Sequence, residues 1–207
     1  MYEHSRISAD IYLRASNRAC CAFSGLNRLL DTHDKITVPD LLAFSRHCTM
    51  PKEALLPRTH CGKSTNSSSC MEIDKQYPGV LSTAYVTIGH PRHTVFLPIP
   101  VCAEKVLPAM QKLAWSATAF QRLDKLGLEA PLPPEWTKFE ADFLARYAQA
   151  KDKARKLLAE DKRNEAVRLL NSVAEEIWKE AADLIKKDAK TPRETKNPGG
   201  ESKTPAA

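Results

Sequence analysis

Apolar residues recur at steps of three and four near both ends of this chain and give way to alternation in its middle. Ile11, Ala15, Ala19, Ala22, Leu26 and Leu29 predict a helix running from a Ser8 cap to about Leu30, because residues at those steps share one helical face. Gly25 costs such a helix about 1 kcal/mol relative to Ala, so a bend or a close helix contact is expected there. Thr37-Val38-Pro39-Asp40 is a second helix start, with a Thr cap, proline in the first turn and an acid three residues on. That helix is expected to end near Cys48, ahead of Pro51, and residues 49–67 read as a loop of prolines, Gly62 and polar residues.

The period then changes. Ser68 to Ile73, Ala84 to Ile88 and Thr94 to Ile99 are short, β-branched or alternating segments, which predicts an antiparallel meander. Pro98 and Pro100 are expected to end it, since proline cannot donate to a central ladder. Helical spacing returns from Ala103 to about Gly127 through Val106, Met110, Leu113, Ala117 and Phe120, with Gly127 suited to a C-terminal cap. After the stiff run "LEAPLPP", Trp136, Phe139, Phe143, Tyr147, Ala150, Ala154 and Leu157 mark one amphipathic helix. A polar break at Asp161–Asn164 separates it from a second, marked by Ala166, Leu170, Val173, Ile177, Ala181 and Leu184. The pair is a helical hairpin with mixed-sign flanks. Residues 189–207 are too polar to bury a core and are expected to be disordered.

The 207 residues suffice for one domain with an appendage. No apolar run approaches the ~20 residues of a membrane span, and "MYEHSRISADIYLR" has charges where a signal peptide is apolar. A complete chain of this kind is expected in the cytoplasm; a fragment of a longer precursor could be exported. The net charge of +6 is dispersed among acids, which disfavours nucleic acid as a partner. Six cysteines (Cys20, Cys21, Cys48, Cys61, Cys70 and Cys102) are too few for a disulfide scaffold. Cys48 and Cys61 flank a loop and could pair in an exported protein, but the favoured reading makes the cysteines small apolar packers.

Rival motifs fail. Gly62-Lys63-Ser64 ends like a phosphate loop, but that motif needs glycine where Pro57 stands. His47-Cys48 and His60-Cys61 repeat a metal-ligating pair at no standard zinc spacing, so neither a metal nor another cofactor is expected. His90 and His93 flank a Pro-Arg turn and read as ordinary exposed histidines. A Cys-His dyad can be drawn from several pairs, and none stands out.

One order of segments carries more. "YLRASNRACCAF", then "ITVPDLLAFSRH", then "KSTNSSSC", then "AYVTIGHPRHTVFLPIPV" together resemble the C-terminal half of the N-terminal-nucleophile linear amide hydrolases, the family of choloylglycine hydrolase and the penicillin acyltransferases. The last segment is the most similar, with a strand, a Gly-x-Pro turn and a strand ending in apolar-proline; Arg92 stands where relatives often carry cysteine. The resemblance covers about half the chain, and the hairpin and tail lie outside it.

The resemblance implies an α+β fold, an antiparallel sheet covered by helices as in half of an αββα sandwich, with the helical hairpin added. Residues 1–128 form the partial hydrolase-like domain, 129–188 the hairpin appendage and 189–207 the tail. In such enzymes the nucleophile is a cysteine whose own α-amine is the general base. Here Met1 is followed by Tyr2, and no cysteine precedes Cys20. The resemblance also implies an arginine beside the nucleophile. Arg14 and Arg18 both qualify, and the alternative is an exposed arginine face. The hydroxyls and amide of Thr65, Asn66 and Ser67 are implied to line a substrate pocket. The expected partner is a small amide substrate, once an N-terminal segment completes the site; a homo-oligomer is the other expected partnership. The rival reading is a non-catalytic protein that associates through the hairpin.

Overall fold

The computed structural model describes residues 35–46, 67–103 and 130–190, and besides them Asp31, Thr65, Val106, Gln121, Arg122 and 124–127. The elements in chain order are α1 (Val38–Ser45), β1 (Ser67–Glu72), α2 (Pro78–Leu81), β2 (Thr83–Ile88), β3 (Leu97–Pro100), α3 (Pro134–Ala159) and α4 (Arg163–Lys190). The content is α+β: a three-stranded antiparallel sheet in the order β1-β2-β3, with a C-terminal helical pair.

The start of α1 is set by its own sequence. The Asp40 carboxylate accepts a hydrogen bond from the Thr37 N–H at 2.8 Å and another from the Thr37 hydroxyl, which satisfies groups that a helix start leaves orphaned. The helix closes at Ser45, with Arg46 as its cap. Gly89 (φ 102°) opens the turn before β3, where the His93 N–H donates to the His90 carbonyl at 2.9 Å. At the other end of the sheet Asp74 organises the crossing into α2. Its Oδ1 accepts from the N–H groups of Gln76 and Tyr77 at 3.0 and 2.8 Å, an Asx turn.

Strand register pairs Cys70 with Tyr85 and Tyr85 with Pro98. The meander ends at Pro100, as expected, but Pro98 lies inside β3. The Val101 N–H donates to Ser82 O at 3.0 Å. Antiparallel alternation therefore turns the N–H groups of Leu97 and Ile99 toward β2 and the proline nitrogens away from it. Among the described residues β3 is an edge strand, a place where a sheet tolerates proline.

Thr83, Tyr85 and Thr87 are buried on the sheet face turned to the hairpin. The Tyr85 ring stands edge-on to Tyr147 of α3 at 6.4 Å between centroids. On α3, Trp136, Phe143, Tyr147, Ala150 and Ala154 are buried; on α4, Ala166, Leu170, Ala174, Ile177, Trp178, Ala181 and Ile185 are. The α3 stripe is the one the sequence predicts, with Phe139 and Leu157 at its half-buried margin. The far half of α4 is buried more deeply than its distance along the hairpin suggests. Trp178 is fully enclosed, and its indole N–H donates to Pro98 O at 2.8 Å, so α4 packs on β3 as well as on α3. Each such large side chain contributes about 1.5–3 kcal/mol through burial, and the tertiary face, not propensity, holds the hairpin in place.

The reversal between the helices is a left-handed cap. Asp161 has φ 61°, the Lys162 N–H donates to Leu157 O at 2.8 Å and the Asp161 N–H to Leu158 O at 3.1 Å. These are the two bonds of a Schellman ending. Glycine has no Cβ to strain in that conformation, so Asp161→Gly is expected to raise the stability read by urea unfolding slightly, by less than about 1 kcal/mol.

Candidate functional site

A groove of about 660 Å³ lies between α1, α3 and the β1–β2 end of the sheet. Val38, Pro39 and Ala43 form one wall, and Thr137, Ala141, Leu144, Ala145 and Ala148 of α3 form the other. The α3 residues face the groove because they lie on its flank, beside the buried Trp136–Phe143–Tyr147 stripe. Charged pairs sit along the groove. Its volume is within the ordinary range for small-ligand pockets, about 300–1,000 Å³.

At one end Arg46 and Glu140 form a two-pronged ion pair, at 2.6 Å from Nη1 to Oε1 and 2.5 Å from Nη2 to Oε2. Glu140 Oε2 also accepts the Phe96 N–H at 2.9 Å. Arg46 donates further from Nε to Pro91 O at 2.9 Å and from Nη2 to Thr94 O at 3.1 Å, and its guanidinium lies 4.8 Å from the Phe96 ring centroid. Planar, forked donors suit this task. The pair thus ties the end of α1, the 91–96 loop and α3 together, a structural role.

At the other end the Lys151 ammonium stands 2.7 Å from Glu72 Oε1, and the Tyr85 hydroxyl donates to Glu72 Oε2 at 3.3 Å. Burial, and then the Glu72 charge, push the Tyr85 phenol well above its ordinary range. One helical turn on, Arg155 pairs with Asp74, and this hydrogen-bonded cation holds the Asp74 carboxyl down at about 2. The two rungs, Glu72–Lys151 and Asp74–Arg155, join the exit of β1 to α3.

A second polar cluster lies apart from the groove. His90 and His93, expected to be exposed, are both fully buried with ring centroids 5.3 Å apart. The turn that carries them folds inward. Neither ring nitrogen of His93 makes a hydrogen bond of ordinary geometry. Burial, then the neighbouring His90, Arg122 and Arg92, lower its pKa to about 4, and the Gly127 backbone offsets this only in part. Arg122 is buried too. It pairs with Asp188 at 2.8 Å and lies 5.0 Å from the Trp136 ring centroid.

Because the folded pKa lies below the ordinary 6.5, the unfolded chain takes up the His93 proton first as the pH falls. The stability carried by neutral His93 is complete above about pH 6.5 and is lost on descending to about pH 4. The loss is on the order of 3 kcal/mol. Urea unfolding at pH 7.5 and pH 4.5 is expected to show this loss in the native protein and a smaller one in His93→Gln. Asp74 responds lower, below about pH 4, so the two windows separate.

Of the residues singled out from sequence, Thr65 is half-buried just ahead of β1, and Ser67 is exposed as its first residue, paired with Ile88. Neither lines the groove. Arg14, Arg18 and Asn66 lie outside the described residues, as do Cys20, Cys21, Cys48, Cys61, His47 and His60. Cys70 is buried and Cys102 half-buried, neither in a disulfide, and burial followed by Glu72 pushes the Cys70 thiol up. Among the described residues no group of three or more His, Cys, Asp or Glu is placed to hold a metal ion. No helix among them is long and apolar enough to cross a membrane. Arg46, Glu72, Glu140 and Lys151 were not legible as a site. The one signal was phase: Glu140 falls on the same helical face as Trp136, Phe143 and Tyr147, where a charge needs a partner.

Comparisons of the chain with known protein families, with curated proteins and with solved structures find no match.

Proposed function

We propose that this chain is the C-terminal part of an N-terminal-nucleophile amide hydrolase or acyltransferase acting on linear amides, and that it is inactive by itself. The observation that supports this reading most is the second face of the sheet. Opposite the face that meets the hairpin, β2 and β3 present Ala84, Val86, Ile88 and Ile99, which are half-buried. On β1 the same face carries Ser67, Ser69 and Met71, all exposed, Met71 by 58%. The β2–β3 part of this face is apolar, and a second sheet stacks on an apolar sheet face at about 10 Å. That arrangement is the one the αββα sandwich requires, and the order of segments along the chain agrees with it.

Under this reading Arg14 or Arg18 assists a cysteine nucleophile from outside residues 1–207, and Thr65, Asn66 and Ser67 border the amide substrate. The groove on the hairpin side plays no part in that chemistry. No observation favours association through the aromatic stripe, because Trp136, Phe143 and Tyr147 are enclosed within the core.

The purified chain is expected to show no turnover on a panel of N-acyl amino acids and bile-salt conjugates, since no group supplies a thiol together with its own α-amine. Turnover that disappears in Cys20→Ala or Cys61→Ala contradicts the proposal, because an internal cysteine then carries the reaction.

A further inference from the structure

The groove between α1 and α3 combines two features that point to one kind of occupant. Its walls are apolar and built from small residues, so they leave room. Its cations are matched in place, and Asp152, the one further charge on the lining, is exposed to solvent. Arg46 is matched by Glu140, Lys151 by Glu72 and Arg155 by Asp74. A charged ligand placed here leaves water without meeting an unmatched partner, and that desolvation weakens its binding.

One hydrogen-bonding group is not used up. The Lys151 side chain is only 9% exposed and lines the groove, yet its ammonium, which has three N–H donors, is engaged by a single carboxylate oxygen. An oxygen atom on the occupant can accept one of the others. We infer that this groove binds an uncharged apolar molecule carrying one hydrogen-bond-accepting oxygen, a carbonyl or hydroxyl, with that oxygen at Lys151 and the apolar body along Leu144 and Ala145 toward Thr137. From Lys151 to Thr137 the helix rises about 21 Å, room for an extended chain. The inference is independent of the amide-hydrolase reading, because the groove lies on the hairpin side of the sheet and its occupancy is read without any turnover.

Three probes with comparable tails separate the chemistry: 2-decanone, decanoate and decylamine, titrated into the full chain labelled with ¹⁵N. The ketone is expected to bind saturably and to shift the amide signals of residues 137–151. Decanoate and decylamine should bind at least about tenfold more weakly, a difference of about 1.4 kcal/mol. Lys151→Met should weaken the ketone by a similar factor, and Ala145→Trp, an exposed position on the wall, should abolish its binding. Ala148→Leu closes the same groove with a smaller side chain and serves as the blocking variant if Ala145→Trp does not fold. Equal or tighter binding of decanoate or decylamine overturns the inference. So does a ketone that binds nowhere, or one whose shifts scatter over the surface. A change of oligomeric state in Ala145→Trp, without ketone binding to the native groove, overturns it too, since the groove is then an interface between copies.

Discussion

Trp178→Ala is expected to lower the stability of the whole chain by about 3–5 kcal/mol, read as an earlier single transition in urea. The side chain is fully enclosed between α4 and β3, so its removal loses the transfer energy of an indole and leaves a cavity. It also takes away the donor for Pro98 O, leaving a carbonyl that β2 does not satisfy. Phe143→Ala on α3 is expected to cost a similar amount, for it too is fully buried. The sequence suggests a small loss at Ile177, far out on the second helix, but Ile177 is fully buried beside Trp178. Large and similar losses at Phe143 and Ile177 therefore follow from the packing. Small losses at either position, or two separate unfolding transitions, would show that the hairpin is not joined to the sheet as described.

The second large effect is electrostatic. Glu140→Ala is expected to destabilise by about 3–5 kcal/mol, because a half-enclosed Arg46 then keeps its charge without the carboxylate that matches it. The Phe96 N–H loses its acceptor in the same step. Replacing both partners, as Arg46→Met with Glu140→Leu, should recover most of that loss, since two apolar side chains leave no unpaired charge behind. A double-mutant cycle in urea measures the coupling. If the double variant is no more stable than Glu140→Ala alone, the hydrogen bonds of Arg46 to Pro91 O and Thr94 O carry the effect instead of the ion pair.

Periodicity made much of this fold legible. The α3 stripe from Trp136 to Ala154, the polar break at Asp161 and the strands around Tyr85 are all where spacing puts them. Local chemistry settled the rest of what could be read: Thr37 and Asp40 fix the start of α1 wherever the helix packs. What was not legible depends on contacts distant in sequence. Pro98 and Pro100 are compatible with a strand only because β3 lies at an edge, and edge position is a property of the assembled sheet. His90 and His93 look like turn residues, and burial comes from the direction in which the turn folds. Arg46 and Glu140 are 94 residues apart, so no local pattern joins them, although a charge in phase with Phe143 was a sign that α3 buried an ion. The groove was illegible for the same reason, because its two walls belong to α1 and α3.

The proposed function makes residues 1–207 the C-terminal part of a larger amide hydrolase. N-terminal sequencing and intact mass of the mature protein from its natural source test this most directly. The account predicts a polypeptide, or a tightly held partner chain, that begins with a cysteine encoded upstream of Met1 and exposed by processing. A mature protein that begins at Met1 or Tyr2, with no such companion, would contradict it.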